Sequence, residues 1–415
     1  MKKLLCAALA WACLGGPALA EADLISPEVF AGRLDLRLGA SDGERSWVDG
    51  GFGKTRFSGA KDGWAVRPQV AEAALEWKPR FSWEWQAVVN AEVQPGQSPK
   101  VDLGEAYIQY KPVPRSDTHF SARAGLMYPA ISLEHDAPIW SVSRTITPSA
   151  INAWVGEEVK VLALEATVLQ PIAGQDFQAT LGVFDHNDTS GTLLTFRGWS
   201  LSDVKGTPFA SLPLPPLSPF MSVRQDDETY PVRKLDKRLG YYGRLVWRPT
   251  GRFSFEAFHY DNMGNKTAVD DELQWSWATR FTNLGATIVI DDRTRILSQV
   301  MWGQTLMGYT KPGTGIWVNL DFTSAYVLAT RSFGKAAITG RVDYFNTQDN
   351  AARAYGRNGE EGWALTAAYR YTFNPHVEMV VEAVHVDSDR PSRARVYLAA
   401  EQAQTTLQSS LRLTF

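Results

Sequence analysis

The feature that most constrains this chain is an alternation of apolar and polar residues that recurs from one end to the other. Leu34, Leu36 and Leu38 are interleaved with Arg33, Asp35 and Arg37. Ala71, Ala73, Leu75 and Trp77 alternate with Glu72 and Glu76; Phe81, Trp83, Trp85, Ala87 and Val89 alternate with Ser82, Glu84, Gln86 and Asn90. Trp363, Leu365, Ala367, Tyr369 and Tyr371 alternate with Thr366 and Arg370. A period of two means β-strands with one apolar and one polar face. In a soluble sandwich the apolar faces would meet in a core. Here that face is rich in Trp, Tyr, Leu and Ala, and the other carries Arg and Glu well inside each strand. This fits lipid on one side and water on the other, and predicts an all-β fold, a transmembrane antiparallel β-barrel.

Both ends agree with that reading. Leu407, Leu411, Leu413 and Phe415 share one face of the last segment, and Gln408, Ser410, Arg412 and Thr414 share the other. A chain that stops on an aromatic in mid-strand has the pattern of a terminal outer-membrane strand. Leu411, Leu413 and Phe415 are therefore expected to form the assembly signal met by the barrel-assembly machinery. At the start, Lys2 and Lys3 precede an apolar run over 4–14 and then Ala18-Leu19-Ala20. This predicts a secretory signal peptide over residues 1–20, with the barrel over 21–415. The run is too short to span a bilayer, and no later stretch is long enough. Cys6 and Cys13 both fall in the leader, so the mature chain is expected to hold no disulfide and no thiolate metal site. Removing Lys2 and Lys3 takes the formal charge from −3 to −5. That balance argues against a nucleic-acid partner.

Short turns are expected at 78–80, 111–117, 170–175, 248–252, 291–294, 331–335 and 373–376. Long connections alternate with them at 40–67, 93–100, 128–160, 186–237, 262–274, 306–316, 346–362 and 387–402. Short turns on one side and long loops on the other are the outer-membrane pattern, and the count predicts about 16 strands. The stretch 275–290 changes phase near Thr282 and reads as a bulge or as two strands. A barrel this wide is not filled by its own wall and leaves a channel. The third long loop, over 128–158, carries Trp140, Trp154 and several Ile. It also has a helix start, with Thr147 as N-cap and Pro148 at the first position. It is expected to fold inward as a constriction. The loop over 186–237 contains Pro213, Pro215, Pro216 and Pro219 and is expected to be a semi-rigid extracellular cap, or else to dip into the lumen.

The run Gly125-Leu126-Met127-Tyr128-Pro129-Ala130-Ile131-Ser132-Leu133-Glu134 resembles the start of the constriction loop in phosphate-selective porins, the porin O and P family of Gram-negative outer membranes. The likeness extends loosely over the mature chain in barrel size and loop order. It implies an outer-membrane channel for small anions, assembled as a trimer. The family's pores rely on Lys and Arg near this loop. Here the loop departs from that pattern, with Arg144 set against Glu134, Asp136, Glu157 and Glu158. With Arg123, which precedes it, these are the candidate constriction residues. Arg33, Arg37, Arg244, Arg341, Arg370 and Arg412 are a candidate basic lumen wall. The plainer reading of those arginines is a mixed network paired with Asp35, Glu105, Glu165, Asp343 and Glu382. Trp77, Trp83, Tyr110, Trp247 and Tyr371 read as interfacial girdles.

Motifs for chemistry are weak. Gly53-Lys54-Thr55 would end a P-loop, but Val48 stands where its first Gly belongs. His385 and Asp387 have no evident further metal ligands. No nucleophile–base pair stands out, so neither an enzyme nor a cofactor is expected. The expected function is a porin, with outer-membrane lipid around it. Small hydrophilic or anionic solutes, phosphate among them, would diffuse passively through a weakly selective, loop-narrowed barrel. The alternative is a structural or surface-binding barrel with a closed lumen.

Overall fold

The computed structural model describes residues 22–60, 63–353 and 355–415, so the leader assigned to residues 1–20 lies outside the described residues. Seven strands come first: β1 (Phe30–Ser41), β2 (Ala65–Trp77), β3 (Trp85–Val93), β4 (Val101–Tyr110), β5 (His119–Met127), β6 (Val161–Ile172) and β7 (Gln175–Asp185). Two very short strands, β8 (Leu212–Pro213) and β9 (Glu228–Thr229), pair only with each other. Nine more follow: β10 (Gly240–Thr250), β11 (Phe253–Asp261), β12 (Ala278–Asp291), β13 (Thr294–Lys311), β14 (Gly315–Phe333), β15 (Ala336–Asp349), β16 (Glu360–Asn374), β17 (Val377–Asp389) and β18 (Glu401–Thr414). All but β8 and β9 form one closed barrel of 16 antiparallel strands, with β18 paired to β1.

The alternation works as the sequence predicts. On β18, Gln404, Thr406, Gln408, Ser410 and Arg412 are buried toward the lumen, while Leu407 and Leu411 are exposed outward. Trp77, Trp85, Trp247, Phe253, Phe333 and Phe373 are exposed near the short-turn ends of their strands, and Tyr241, Trp302, Tyr344 and Trp363 lie outward nearer the long loops. These are the two aromatic belts of a membrane barrel.

The seam has a particular device. Phe415 and Gly32 exchange backbone hydrogen bonds of 3.2 Å across β18 and β1. The Phe415 ring lies so close over Gly32 that a Cβ there would sit 2.0 Å from its Cε1. An aromatic ring laid over a cross-strand glycine covers the backbone that the glycine leaves bare. Gly32→Val is expected to evict the ring and lower the yield of heat-modifiable, folded barrel. An unchanged yield from that variant counts against a role for the contact in closure.

Three expectations change. The register between β1 and β2 slips between Asp35 and Leu36, so Ala71 becomes a bulge residue that is buried rather than part of the outward face. Its carbonyl accepts a hydrogen bond from Arg56 Nη1 at 3.2 Å. The stretch 306–316 is not a loop, because β13 and β14 run on into it and meet in a tight turn. The stretch 275–290 holds neither a mid-strand bulge nor two strands, and most of it is β12. The apparent change of phase arises because Phe281 points into the lumen, against Trp154 and Tyr260 at 5.3 and 4.8 Å between ring centroids. The barrel is apolar on both faces there, since its inner wall receives an aromatic from a loop.

Candidate functional site

The site is built in the lumen from three loops. The third loop, between β5 and β6, holds helix α1 (Ala150–Glu158), every residue of which is buried. Its N-cap is Ser149, whose hydroxyl accepts from the Asn152 amide, two residues later than the expected cap at Thr147. The loop is tied to inward-facing residues of the far wall. Glu382 on β17 accepts from the amides of Ile146 and Thr147, Asp343 on β15 accepts from the Ala150 amide, and Gln299 on β13 donates to the Ile131 carbonyl. Arg341 on β15 pairs with Glu134 at 3.0 Å and donates to the carbonyls of Thr147 and Pro148. A segment that leaves β5 and is bound by β13, β15 and β17 crosses the lumen. Ile131, Ile139, Ile151 and Trp154 are buried in this packing, and Leu133 and Trp140 are partly buried against it.

The fourth loop, between β7 and β10, enters beside it and contains helix α2 (Thr192–Phe196), also buried throughout. Glu158 joins the two helices. Its carboxylate accepts from the amides of Leu193 and Leu194, at the start of α2, and from Trp154 Nε1 at 2.6 Å. A carboxylate at a helix start meets free N–H groups. Burial still pushes the Glu158 carboxyl up to about 7, against the pull of those donors. Glu157 pairs with Arg197 at 2.8 Å and accepts from the Ser200 hydroxyl. The first loop, between β1 and β2, adds Trp47 and Lys54. The Arg197 guanidinium lies over the Trp47 ring at 4.5 Å. The Lys54 ammonium pairs with Glu360, which also takes Arg390 at 3.3 Å and the Trp199 amide at 2.9 Å. Burial lowers the Lys54 ammonium to about 8.

Between the loops and the β1, β2 and β18 wall lies a narrow crevice of about 30 Å³, close to the room one water needs. Its walls carry Arg33, Arg37, Lys205 and Arg412 against Asp35, Glu72 and Asp203. Arg33 pairs with Glu72 at 3.1 Å, Arg37 with Asp35 and Asp203 at 2.5 Å each, and Lys205 with Glu72 at 2.8 Å and Glu92 at 2.5 Å. The crevice is thus lined by fixed charges of both signs, alternating within a few ångströms.

The predicted residues separate into groups. Arg33, Arg37 and Arg412 line the crevice. Arg123, Arg244, Arg341 and Arg370 do not, and pair with Glu165, Glu256, Asp343 and Glu378 respectively. The wall is therefore the mixed network, not a bare basic track. Asp136 and Arg144 form an open pair at 2.6 Å. Glu134, Glu157 and Glu158 are 3%, 0% and 1% exposed and hold the loops together rather than facing water. Sequence reasoning missed Asp203 and Lys205, on the fourth loop; it placed Glu72 on the water-facing side of its strand but did not single it out as a site residue.

No protein-family model matches the chain, and no curated protein matches it by sequence. Among solved structures it is similar to the outer membrane channel DcaP of Acinetobacter baumannii, with a TM-score of 0.58 and 12% identity over 97% of this chain and 99% of that one. It is also similar to the anion-selective porin from Comamonas acidovorans, with a TM-score of 0.53 and 11% identity over 95% and 100%. A third is a loop L8 deletion mutant of OmpT, an outer membrane protein of Vibrio cholerae, with a TM-score of 0.53 and 10% identity over 95% and 99%. These likenesses concern the fold. With the apolar exterior and aromatic belts, they define the chain as a 16-stranded β-barrel of the bacterial outer membrane.

Proposed function

We propose that the protein is a porin, through which small hydrophilic solutes diffuse passively by way of the charged crevice, with no chemistry performed on them. The observation that carries this reading is the crevice itself, a polar gap beside the buried loops of the lumen, with four bases set against three acids. Fixed charge at close quarters discriminates among ions, whereas charges in a wide pore are screened beyond about 8 Å at physiological salt. The surplus base favours small anions, phosphate among them. One of the similar barrels is described as an anion-selective porin, which agrees with that sign. Arg33, Arg37, Glu72, Asp203, Lys205 and Arg412 are the proposed pore-lining residues, with Asp136 and Arg144 beside the path. The constriction is shared between the third and fourth loops.

Single-channel recording in planar bilayers tests the reading. Small, steady conductance steps with a zero-current potential shifted modestly toward anions in a salt gradient are expected. A second reading is a barrel with a closed lumen that displays its loops. It is favoured by the depth of the fourth loop, in which residues 187–202 are all buried. It requires that the folded barrel carry no steady current.

A further inference from the structure

We infer that Asp203, on the fourth loop, sets the ionic preference of the crevice, in place of the carboxylates of the third loop. The inference rests on the porin reading and assigns the degree of its anion selectivity to one side chain. The crevice has three acids, and they are not equivalent. The Asp35 side chain is 1% exposed and is enclosed by Arg37, Arg412 and the Ser410 hydroxyl. Glu72 is 10% exposed and is held between Arg33 and Lys205. Asp203 is 19% exposed, the most open of the three, although the segment on either side of it is buried.

The backbone fixes that position. The Leu201 amide donates to the Lys54 carbonyl and the Gly206 amide donates to the Gly156 carbonyl, both at 2.8 Å. The loop is therefore pinned to the first loop before Asp203 and to α1 after it. Its carboxylate reaches Arg37 at 2.5 Å and Arg56 at 3.4 Å. Burial works against ionisation, but those two guanidiniums outweigh it and hold the carboxyl down at about 2. Asp203 is therefore a constant negative charge over the working pH range, shared between two guanidiniums beside the crevice. Without it the crevice keeps Asp35 and Glu72 against the same four bases.

The experiment compares Asp203→Asn, Asp203→Glu and a distant control, Asp292→Asn in an exposed short turn, each as a heat-modifiable barrel in planar bilayers under a potassium chloride gradient at low salt. Asp203→Asn is expected to raise the chloride-to-potassium permeability ratio by up to roughly thirtyfold, because the Boltzmann factor of about five for one unit charge met at 4 Å in water acts on the two ions in opposite senses. Asp292→Asn is expected to keep the parental zero-current potential, and Asp203→Glu, which retains the charge, is expected to shift it far less than Asp203→Asn. Steady current with no shift in Asp203→Asn overturns the inference and leaves the porin reading standing. An equal shift in Asp292→Asn overturns it too, since the effect is then not local. No steady current from the parental barrel overturns the porin reading, and the inference with it.

Discussion

Replacing Glu360 by Gln is expected to release the first and fourth loops from the barrel wall. Glu360 is enclosed at the start of β16, where its carboxylate meets the Lys54 ammonium, the Arg390 guanidinium and the Trp199 amide. Arg390 also donates to the carbonyls of Thr195 and Phe196, at the end of α2. One acid thus secures two loops and faces two buried cations. Removing its charge leaves those cations uncompensated, and breaking a buried pair from one side costs about 3–5 kcal/mol. Lys54 is the weaker member. Its folded value near 8 lies below the ordinary lysine range, so the folded state sheds a proton that the unfolded chain keeps. The linked stability therefore rises as pH climbs from about 8 toward that range, and the buried ammonium is a net cost below it. Lys54→Met, similar in volume, is accordingly expected to be tolerated. The readout is maleimide labelling of a cysteine at Ser200, a buried position on the fourth loop. It should stay unlabelled in the parent and with Lys54→Met, and become labelled with Glu360→Gln. Equal protection in all three would show that Glu360 does not hold the loops.

The barrel was legible because its signal is local. Strand alternation, turn placement and the terminal Phe415 depend on residues close in sequence, and the closed 16-strand order follows from them. Where the wall departs from simple alternation, the cause is a distant partner. Phe281 reads as a break in phase because nothing near it in sequence reveals that Trp154 packs on it. Ala71 reads as an outward residue because the bulge that turns it in is visible only against β1. The site was less legible for the same reason. Glu157 and Glu158 look like pore acids until Arg197 and the start of α2 are placed against them, and both come from another loop. Asp203 gave no signal of its own. It is one acid in a long loop, and only the fold brings Arg37 to it across 166 positions of sequence.

Replacing Trp154 by Ala is expected to have the other large effect, because this side chain joins packing to polar anchoring. The indole is fully buried, with Phe281 and Phe322 at 5.3 Å and Trp199 at 6.1 Å, all in edge-on contact. Phe281 and Phe322 belong to the wall and Trp199 to the fourth loop, so the ring is wedged between barrel and plug. Truncating a buried Trp costs about 3–5 kcal/mol, part of it for the cavity left behind. Its Nε1 also donates to Glu158, the carboxylate that caps α2. The change therefore unpacks α1 and removes one of the donors that hold Glu158 in place for α2. Trp154→Phe separates the two contributions, since it keeps most of the packing and loses only the N–H. On the porin reading, Trp154→Ala should raise single-channel conductance and current noise, with the barrel still heat-modifiable because no wall pairing is touched. Trp154→Phe should lie near the parent in mean conductance with a smaller rise in noise. If Trp154→Ala gives a folded barrel whose conductance and noise match the parent, then α1 does not set the width of the path, and the constriction belongs to the fourth loop alone.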